Sequence, residues 1–313
     1  MSIGTSPPSR EPGVILEGTG GVWQVRTSAG VTRDVSLRGR VKHADATKLA
    51  VGDDVIIERD ERATTWAIVE ILPRRSSLSR RAPGRRQAER VVAANVDQVL
   101  VVVAAARPDP HPGMIDRFLL IAEANDLPAR IIVNKVELVD ESVTAQLLAP
   151  YRAAGYGAHM TSVRTGAGLP ALEGALVGRT SVLSGPSGVG KSSLMNALYP
   201  GLALRVGEIS DSVNKGRHTT VGALLHPLPA GGFVVDTPGL REVGLWGIDP
   251  GEVDRCFPEF RPRLGHCRFA DCRHTVEPGC AVRAAVGSGG ITAGRYESYV
   301  KLRGELEESS GVW

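Results

Sequence analysis

The sequence predicts a multidomain protein: an N-terminal β-barrel, a central α/β domain built around a phosphate-binding loop, and a C-terminal α-rich domain organised by a metal. Three observations carry this reading. Short β-type runs separated by turns fill Gly13 to Leu72. From Val91, apolar strands alternate with helices and enclose Gly185-Pro186-Ser187-Gly188-Val189-Gly190-Lys191-Ser192. Near the end, Cys267, Cys272, His274 and Cys280 fall close together.

Composition sets the bounds. A chain of 313 residues with 42% hydrophobic content can bury real cores, and its length suggests two or three domains. A net charge of +3 is too small to argue for nucleic acid without clustering, and 4% aromatics tells against base stacking as the main binding device. The N-terminus has no apolar core segment and no run is long enough to cross a bilayer, so a cytosolic protein is expected. Of four cysteines, three lie between positions 267 and 280, which reads as metal ligation in a reducing compartment rather than as disulfides.

Residues 1–12 are rich in Ser, Pro and charge without an apolar period, and are expected to be a disordered tail. Residues 13–72 carry strand-like runs at Gly13 to Leu16, Val22 to Val25, Val31 to Leu37, Asp54 to Ile57 and Thr65 to Val69. So many strands in so short a span predict a small closed barrel. Trp23 and Trp66 serve there either as core or as stacking platforms. Residues 73–90 form a basic linker, with six arginines in three pairs from Arg74 to Arg86 and no acid between them. Such a run is a solvated connection. Because uncompensated arginine repels itself and suits phosphate, it is also expected to touch RNA.

The central domain, residues 91–245, opens with the apolar strand Val96 to Ala105. A helix from Pro112 to Asn125 places Ile115, Leu119 and Ala122 on one face. Next come the strand Ala129 to Asn134, a helix from Asp140 to Tyr151, and a strand leading into Thr161 and Ser162. The alternation predicts a parallel sheet covered by helices, with ligands at the carboxyl ends of its strands.

The octapeptide from Gly185 follows a strand and precedes a helix, the context its chemistry needs. Its glycines let N–H groups turn in around phosphates, Lys191 reaches the β- and γ-phosphates, and the Ser192 hydroxyl is placed for Mg²⁺, with Ser193 next in the helix. The helix N-terminus adds its positive dipole end. Downstream, Gly232 to Gly239 is a strand ending in Asp236 and a turn: the aspartate suits Mg²⁺ and the Gly239 N–H a γ-phosphate. Upstream, Asn134-Lys135-Val136-Glu137 is a base-reading motif. Asn134 fixes the base edge, the Lys135 stem covers its face, and the carboxylate accepts the donors that guanine has and adenine lacks. Glu137 stands where a shorter aspartate is usual. Thr161 and Ser162 resemble the positions at which a GTPase offers a backbone amide to guanine O6. Between these motifs, Val206 to Val221 reads as a switch loop, in which Thr219 or Thr220 completes the Mg²⁺ shell.

The base-reading motif precedes the phosphate loop, the reverse of the ordinary order, and so the domain is circularly permuted. With Gly216-Arg217-His218-Thr219-Thr220, Asp236 to Gly239 and the cysteine–histidine cluster, the chain from Gly13 onward resembles the RsgA/YjeQ family of GTPases dependent on the small ribosomal subunit. The resemblance implies an OB-fold for the barrel, GTP hydrolysis stimulated by the small subunit during late maturation or factor release, ribosomal RNA as partner, and a cytoplasmic monomer. It also implies a catalytic part for His218 beside Lys191 and Asp236, since Leu240 occupies the place of the usual water-positioning glutamine. The alternative for His218 is a surface loop residue beside Arg217.

In residues 246–313, three thiolates and one imidazole are the donor set for a closed tetrahedral Zn²⁺ site, and the resemblance implies one structural ion held by Cys267, Cys272, His274 and Cys280. Cys256 reads as core, and a charged helix from Gly294 to Glu308 closes the chain. Because the Asp236 strand comes last in the permuted domain, the γ-phosphate sensor is expected to run through Leu240 to Trp246 into the metal domain. Two other readings stand at this stage. The phosphate loop also suits a guanylate-kinase-like phosphotransferase, although the Asn134-Lys135 motif, the Asp236 turn and the metal cluster speak against it. Leu240 leaves open a non-catalytic GTP-binding RNA switch.

Overall fold

The computed structural model describes residues 10–38, 49–60, 65–81, 89–202, 223–236 and 248–310. The chain forms two compact units, residues 1–97 with 178–182 and 211–239, and residues 98–177 with 183–210 and 240–313.

All five expected barrel strands are present: β1 (Arg10–Thr19), β2 (Val22–Thr27), β3 (Thr32–Leu37), β4 (Asp54–Asp60) and β5 (Thr65–Ile71), closed in the order β1-β2-β3-β5-β4. Strand β1 pairs with both β2 and β4, and a register shift between Ile15 and Glu17 bends it. Inward residues Ile15, Val25, Val35, Val55, Ile57 and Ile68 fill the interior. Strand β1 begins inside the segment expected to be a tail. The reason is tertiary: Arg10 lies opposite Glu58 in the register and pairs with it at 3.0 Å.

Trp23 and Trp66 both pack against the barrel core. The Arg33 guanidinium lies 4.1 Å from the Trp66 ring centroid and is gripped by both carboxylate oxygens of Glu11 at 3.1 and 3.2 Å. One face of Trp66 is thereby covered, and the core role is the one this geometry supports.

The described parts of the arginine-rich segment are built into regular structure. Strands β6 (Ser77–Arg81) and β7 (Glu89–Ala94) form an antiparallel ribbon, and Ala93 bridges to Val51 beside the barrel. Arg74 donates to fully buried Asp53 at 2.6 and 2.8 Å, while Arg75 pairs with Asp97 at 3.0 Å. The first arginine pair is thus compensated by acids distant in sequence. The Arg80 and Arg81 side chains, and all of Arg85 and Arg86, lie outside the described residues.

A six-stranded sheet contains β8 (Gln98–Ala104), β9 (Ala129–Asn134), β10 (Gly157–Met160), β11 (Thr180–Ser184), β12 (Leu224–Pro227) and β13 (Phe233–Asp236), in the order β10-β9-β8-β11-β13-β12. Pairs β10/β9, β9/β8 and β11/β13 are parallel, and β12 is antiparallel to β13. All of β8 is buried, as its continuous apolar run requires.

The helices are α1 (Pro112–Ala124), α2 (Glu141–Ala153), α3 (Leu169–Leu176), α4 (Lys191–Leu198), α5 (Ala281–Gly287) and α6 (Ala293–Ser310). Helix α1 buries Phe118, Leu120 and Asp116 as well as the expected Ile115, Leu119 and Ala122. A single apolar face is too little because α1 is covered twice, by β8 and β9 on one side and by α6 and the 3-10 helix Pro250–Cys256 on the other. Leu120 joins Val253, Phe257, Phe260, Val282, Ile291, Tyr299, Leu302 and Leu306 in a C-terminal core. Cys256 is buried there as expected, and burial pushes its thiol up to about 12.

Arg295 of α6, with a side chain 3% exposed, donates to Asp116 of α1 at 2.6 Å and to both oxygens of Glu259 at 2.6 and 3.1 Å. Its guanidinium also lies 4.5 Å from the Phe257 ring centroid. Among the described residues, no helix is long and apolar enough to cross a membrane.

Candidate nucleotide and metal sites

The phosphate loop leaves β11 at Gly185, and close packing dictates its glycines. At Gly185, with φ +134°, a Cβ would lie 2.0 Å from the Val102 carbonyl oxygen of β8; at Gly190, with φ +96°, it would lie 2.5 Å from Asn134 Nδ2. Gly188 also has positive φ. Val189 is buried and anchors the loop, Pro186 is half-buried and Ser187 exposed. Helix α4 starts at Lys191, whose Nζ donates to the carbonyls of Gly185 and Pro186 at 2.6 and 2.7 Å. Ser192 and Ser193, half-buried, follow in its first turn.

The base-reading motif is tied to this loop. Asn134, at the end of β9, is buried; its Nδ2 donates to the Val189 carbonyl at 2.9 Å, and its Oδ1 accepts from the Thr161 hydroxyl at 3.3 Å. Lys135 takes a left-handed conformation with φ +61° and donates from Nζ to the carbonyls of Gly188, at 2.8 Å, and Arg107. The Lys135 side chain therefore lies across the loop.

Glu137 stands on the 3-10 turn Val136–Leu138, with its side chain 14% exposed. Oε1 lies 3.6 Å from Arg164 Nε. Oε2 is buried and has no hydrogen-bond partner. Burial pushes this carboxyl upward. Hydrogen bonds from Ser162 and the residue's own N–H, with the charges of Arg164 and Lys135, outweigh it and hold the group below the usual glutamate range.

Thr161 and Ser162 are both fully buried beside the motif, but their amides point elsewhere than expected. The Thr161 N–H donates to Val133 at 2.8 Å and the Ser162 N–H to Ala167 at 2.9 Å. Both are consumed in extending β10 and closing the turn after it, and neither is the donor expected for guanine O6. Asp236 ends β13, half-buried, with Leu224 as its register partner. His218, Thr219, Thr220 and Gly239 lie outside the described residues, as does the segment Leu240 to Trp246.

The metal cluster converges as expected. Sγ of Cys267, Cys272 and Cys280 and Nδ1 of His274 lie within 4.8 Å of one another. His274 Nδ1 is 3.5 and 3.4 Å from the sulfurs of Cys267 and Cys280, which are 3.9 Å apart. A tetrahedron with metal–sulfur bonds of about 2.3 Å has edges of about 3.8 Å, so the donors fit one ion. The other ring nitrogen, Nε2, faces Asp254 Oδ2 at 3.3 Å, which fixes the ring with Nδ1 inward. Amides of Ala281 and Arg283 donate to the sulfurs of Cys267 and Cys280, each at 3.4 Å. Tyr296 and Tyr299 donate to the carbonyls of His274 and Arg273 at 2.8 and 2.7 Å. Glu277 accepts the N–H groups of Arg273, Thr275 and Val276, which outweigh burial and hold its carboxyl at about 2.

Asp254 and Glu277 escaped the sequence reading. Neither has a spacing signature, because each acts through a turn that only the folded chain closes.

The order of motifs on this sheet, with an asparagine-anchored base loop placed before the phosphate loop and locked to it, defines a circularly permuted P-loop GTPase. A model of the family described as RsgA GTPase matches residues 71–246. The chain is 66% identical, over 94% of its length and 97% of the relative's, to the small ribosomal subunit biogenesis GTPase RsgA of Gemmatimonas aurantiaca. It is 44% identical to that of Pseudomonas aeruginosa, over 85% of this chain and 78% of the other. Among solved structures it resembles YjeQ from Thermotoga maritima, with TM-score 0.80 and 35% identity over 95% of this chain and 99% of that one. YloQ, described as a circularly permuted GTPase, gives TM-score 0.75 and 28% identity over 97% and 98%. The chain belongs to the RsgA GTPase family, and its reaction is GTP hydrolysis. The phosphotransferase and non-catalytic readings are not favoured.

Proposed function

We propose that this GTPase acts on the small ribosomal subunit, binding it in the GTP state and hydrolysing GTP on contact, during late maturation or release of a bound factor. The relative that shares two-thirds of its residues over nearly the whole chain is named for that subunit's biogenesis. The guanine preference is carried by one observation, the buried and partnerless Oε2 of Glu137. A buried acceptor without a donor is costly, and the N1–H and 2-amino group of guanine supply donors that adenine lacks. Asn134 and Lys135 flank the same edge. With the Thr161 and Ser162 amides spent, the next amide, that of Val163, is assigned to O6.

Backbone N–H groups between Gly185 and Ser193, Pro186 having none to give, cradle the phosphates, Lys191 leaves its carbonyl partners to meet the β- and γ-phosphates, and the Gly239 N–H meets the γ-phosphate. Ser192, Asp236 and one of Thr219 and Thr220 would hold Mg²⁺, which would supply charge neutralisation on the transferring phosphoryl group. Water forms the new bond to γ-phosphorus as the bond to the β–γ bridging oxygen breaks, yielding GDP and phosphate. His218 orients that water, since Leu240 has no polar atom with which to do so. The cysteine–histidine set holds one Zn²⁺ in a structural role, having no position left for water. The barrel and the arginines between Arg80 and Arg86 contact ribosomal RNA, and the protein works as a cytoplasmic monomer.

The test is phosphate release from GTP with and without purified small subunits, using Lys191→Ala as the blank. A slow basal rate raised many-fold by subunits and absent in the blank supports the proposal, and no response to subunits overturns it. His218→Ala is expected to lower the stimulated rate without changing GDP affinity; an unchanged stimulated rate removes His218 from the mechanism.

A further inference from the structure

We propose that Arg164 is a positioning residue for guanine selection, holding one oxygen of Glu137 so that the other is presented to the base. This rests on the reading of Glu137 as the base acceptor. A glutamate has one more rotatable bond than the aspartate usual at this position. Its carboxylate therefore sweeps a larger volume, and fixing it costs side-chain entropy that aspartate does not lose. A site that uses glutamate needs something to set the last torsion.

The turn after β10 provides it. Ser162 Oγ accepts the Thr165 N–H at 3.1 Å, which pins the turn that carries Arg164. Arg164, two residues on, brings Nε to 3.6 Å from Oε1. That separation is an ion pair rather than a hydrogen bond, so the guanidinium acts by charge and bulk on the outer side of the carboxylate. The Arg164 side chain is 68% exposed, whereas Glu137 is 14% exposed. The cation thus closes the clamp from solvent. Oε1 is engaged, and Oε2 is left buried without a partner. Nothing in the base-reading motif itself specifies which oxygen faces the nucleotide; the turn from Ser162 to Thr165 does.

The consequence is a selective effect. Removing Arg164 frees the Glu137 torsion and weakens only contacts made through the carboxylate. The probes are GDP, IDP, which lacks the 2-amino group, and ADP, which lacks both donors. Dissociation constants are measured for the full chain and for Arg164→Ala and Arg164→Lys. An exposed ion pair of this kind is worth up to about a fivefold change in affinity. Arg164→Ala is expected to weaken GDP by about that factor and IDP less, so that the GDP-over-IDP preference falls; Arg164→Lys, which keeps the charge, restores most of it.

An unchanged preference in Arg164→Ala overturns the inference. So does a parallel loss for all three nucleotides, which would place Arg164 on the phosphates or the fold. If the unaltered protein itself fails to prefer GDP to ADP, the reading of Glu137 fails instead, and the two failures are told apart by which protein shows them.

Discussion

Replacing Gly190 with alanine tests whether the base loop and the phosphate loop are one mechanical piece. The new methyl group would sit 2.5 Å from Asn134 Nδ2, well inside contact distance, on a residue with φ +96°. Two costs arise. A left-handed conformation costs an alanine roughly 1–2 kcal/mol. Pushing Asn134 away breaks its 2.9 Å bond to the Val189 carbonyl. A buried donor left unsatisfied costs roughly 1–3 kcal/mol.

Together these reach about 2–5 kcal/mol, and they have only two places to appear. If the loop keeps its shape, the protein unfolds more easily. If it relaxes to spare Asn134, the cost moves into nucleotide affinity, where each tenfold is about 1.4 kcal/mol. Urea unfolding and GDP titration of the same preparation measure both. A combined loss below about 1 kcal/mol would refute the steric argument. In an Asn134→Ala background the clash is gone, and Gly190→Ala should then show only its backbone strain; additive effects in the double variant would be equally damaging.

Two further outcomes follow from the same geometry. Asp254→Asn keeps the shape of the residue behind His274 but weakens its hold on the ring, and should lower metal affinity about 10- to 100-fold in a chelator competition; unaltered affinity would show that Asp254 does not orient the ligand. Glu137 has its folded value below the ordinary glutamate value of 4.5, so its contribution is fully present above that pH and is lost only as pH falls through the lower value. The GDP-over-ADP preference should therefore be the same at pH 7 and pH 5, and a halving at pH 5 would mean the carboxylate is not held low.

Much of this was legible because the relevant signals are local. Short β-type runs around Ile15, Val25, Val35 and Ile57, with turns between them, place the barrel, and the phosphate loop declares itself by glycines, of which Gly185 and Gly190 have their Cβ positions filled by Val102 and Asn134. The unread parts depend on partners far apart in sequence. The arginine-rich run looks uncompensated because Asp53 and Asp97 lie 21 and 22 residues from Arg74 and Arg75. Helix α1 shows one apolar stripe in isolation, and its second buried face exists only because the C-terminal helices arrive to cover it. The direction of the Thr161 and Ser162 amides is likewise set by strand pairing and turn closure, about which the residue types say nothing.

The link between Asp116 and Arg295 spans 179 residues, and during synthesis that span is time. Helix α1 is made early, with an aspartate that ends 1% exposed, yet the cation that answers it arrives on the last helix. Glu259 waits for the same guanidinium. A chain cut short before α6 is left with two carboxylates lacking their cation and with only the 3-10 helix Pro250–Cys256 over the outer side of α1. Completion of the final helix is thus what seals the first one.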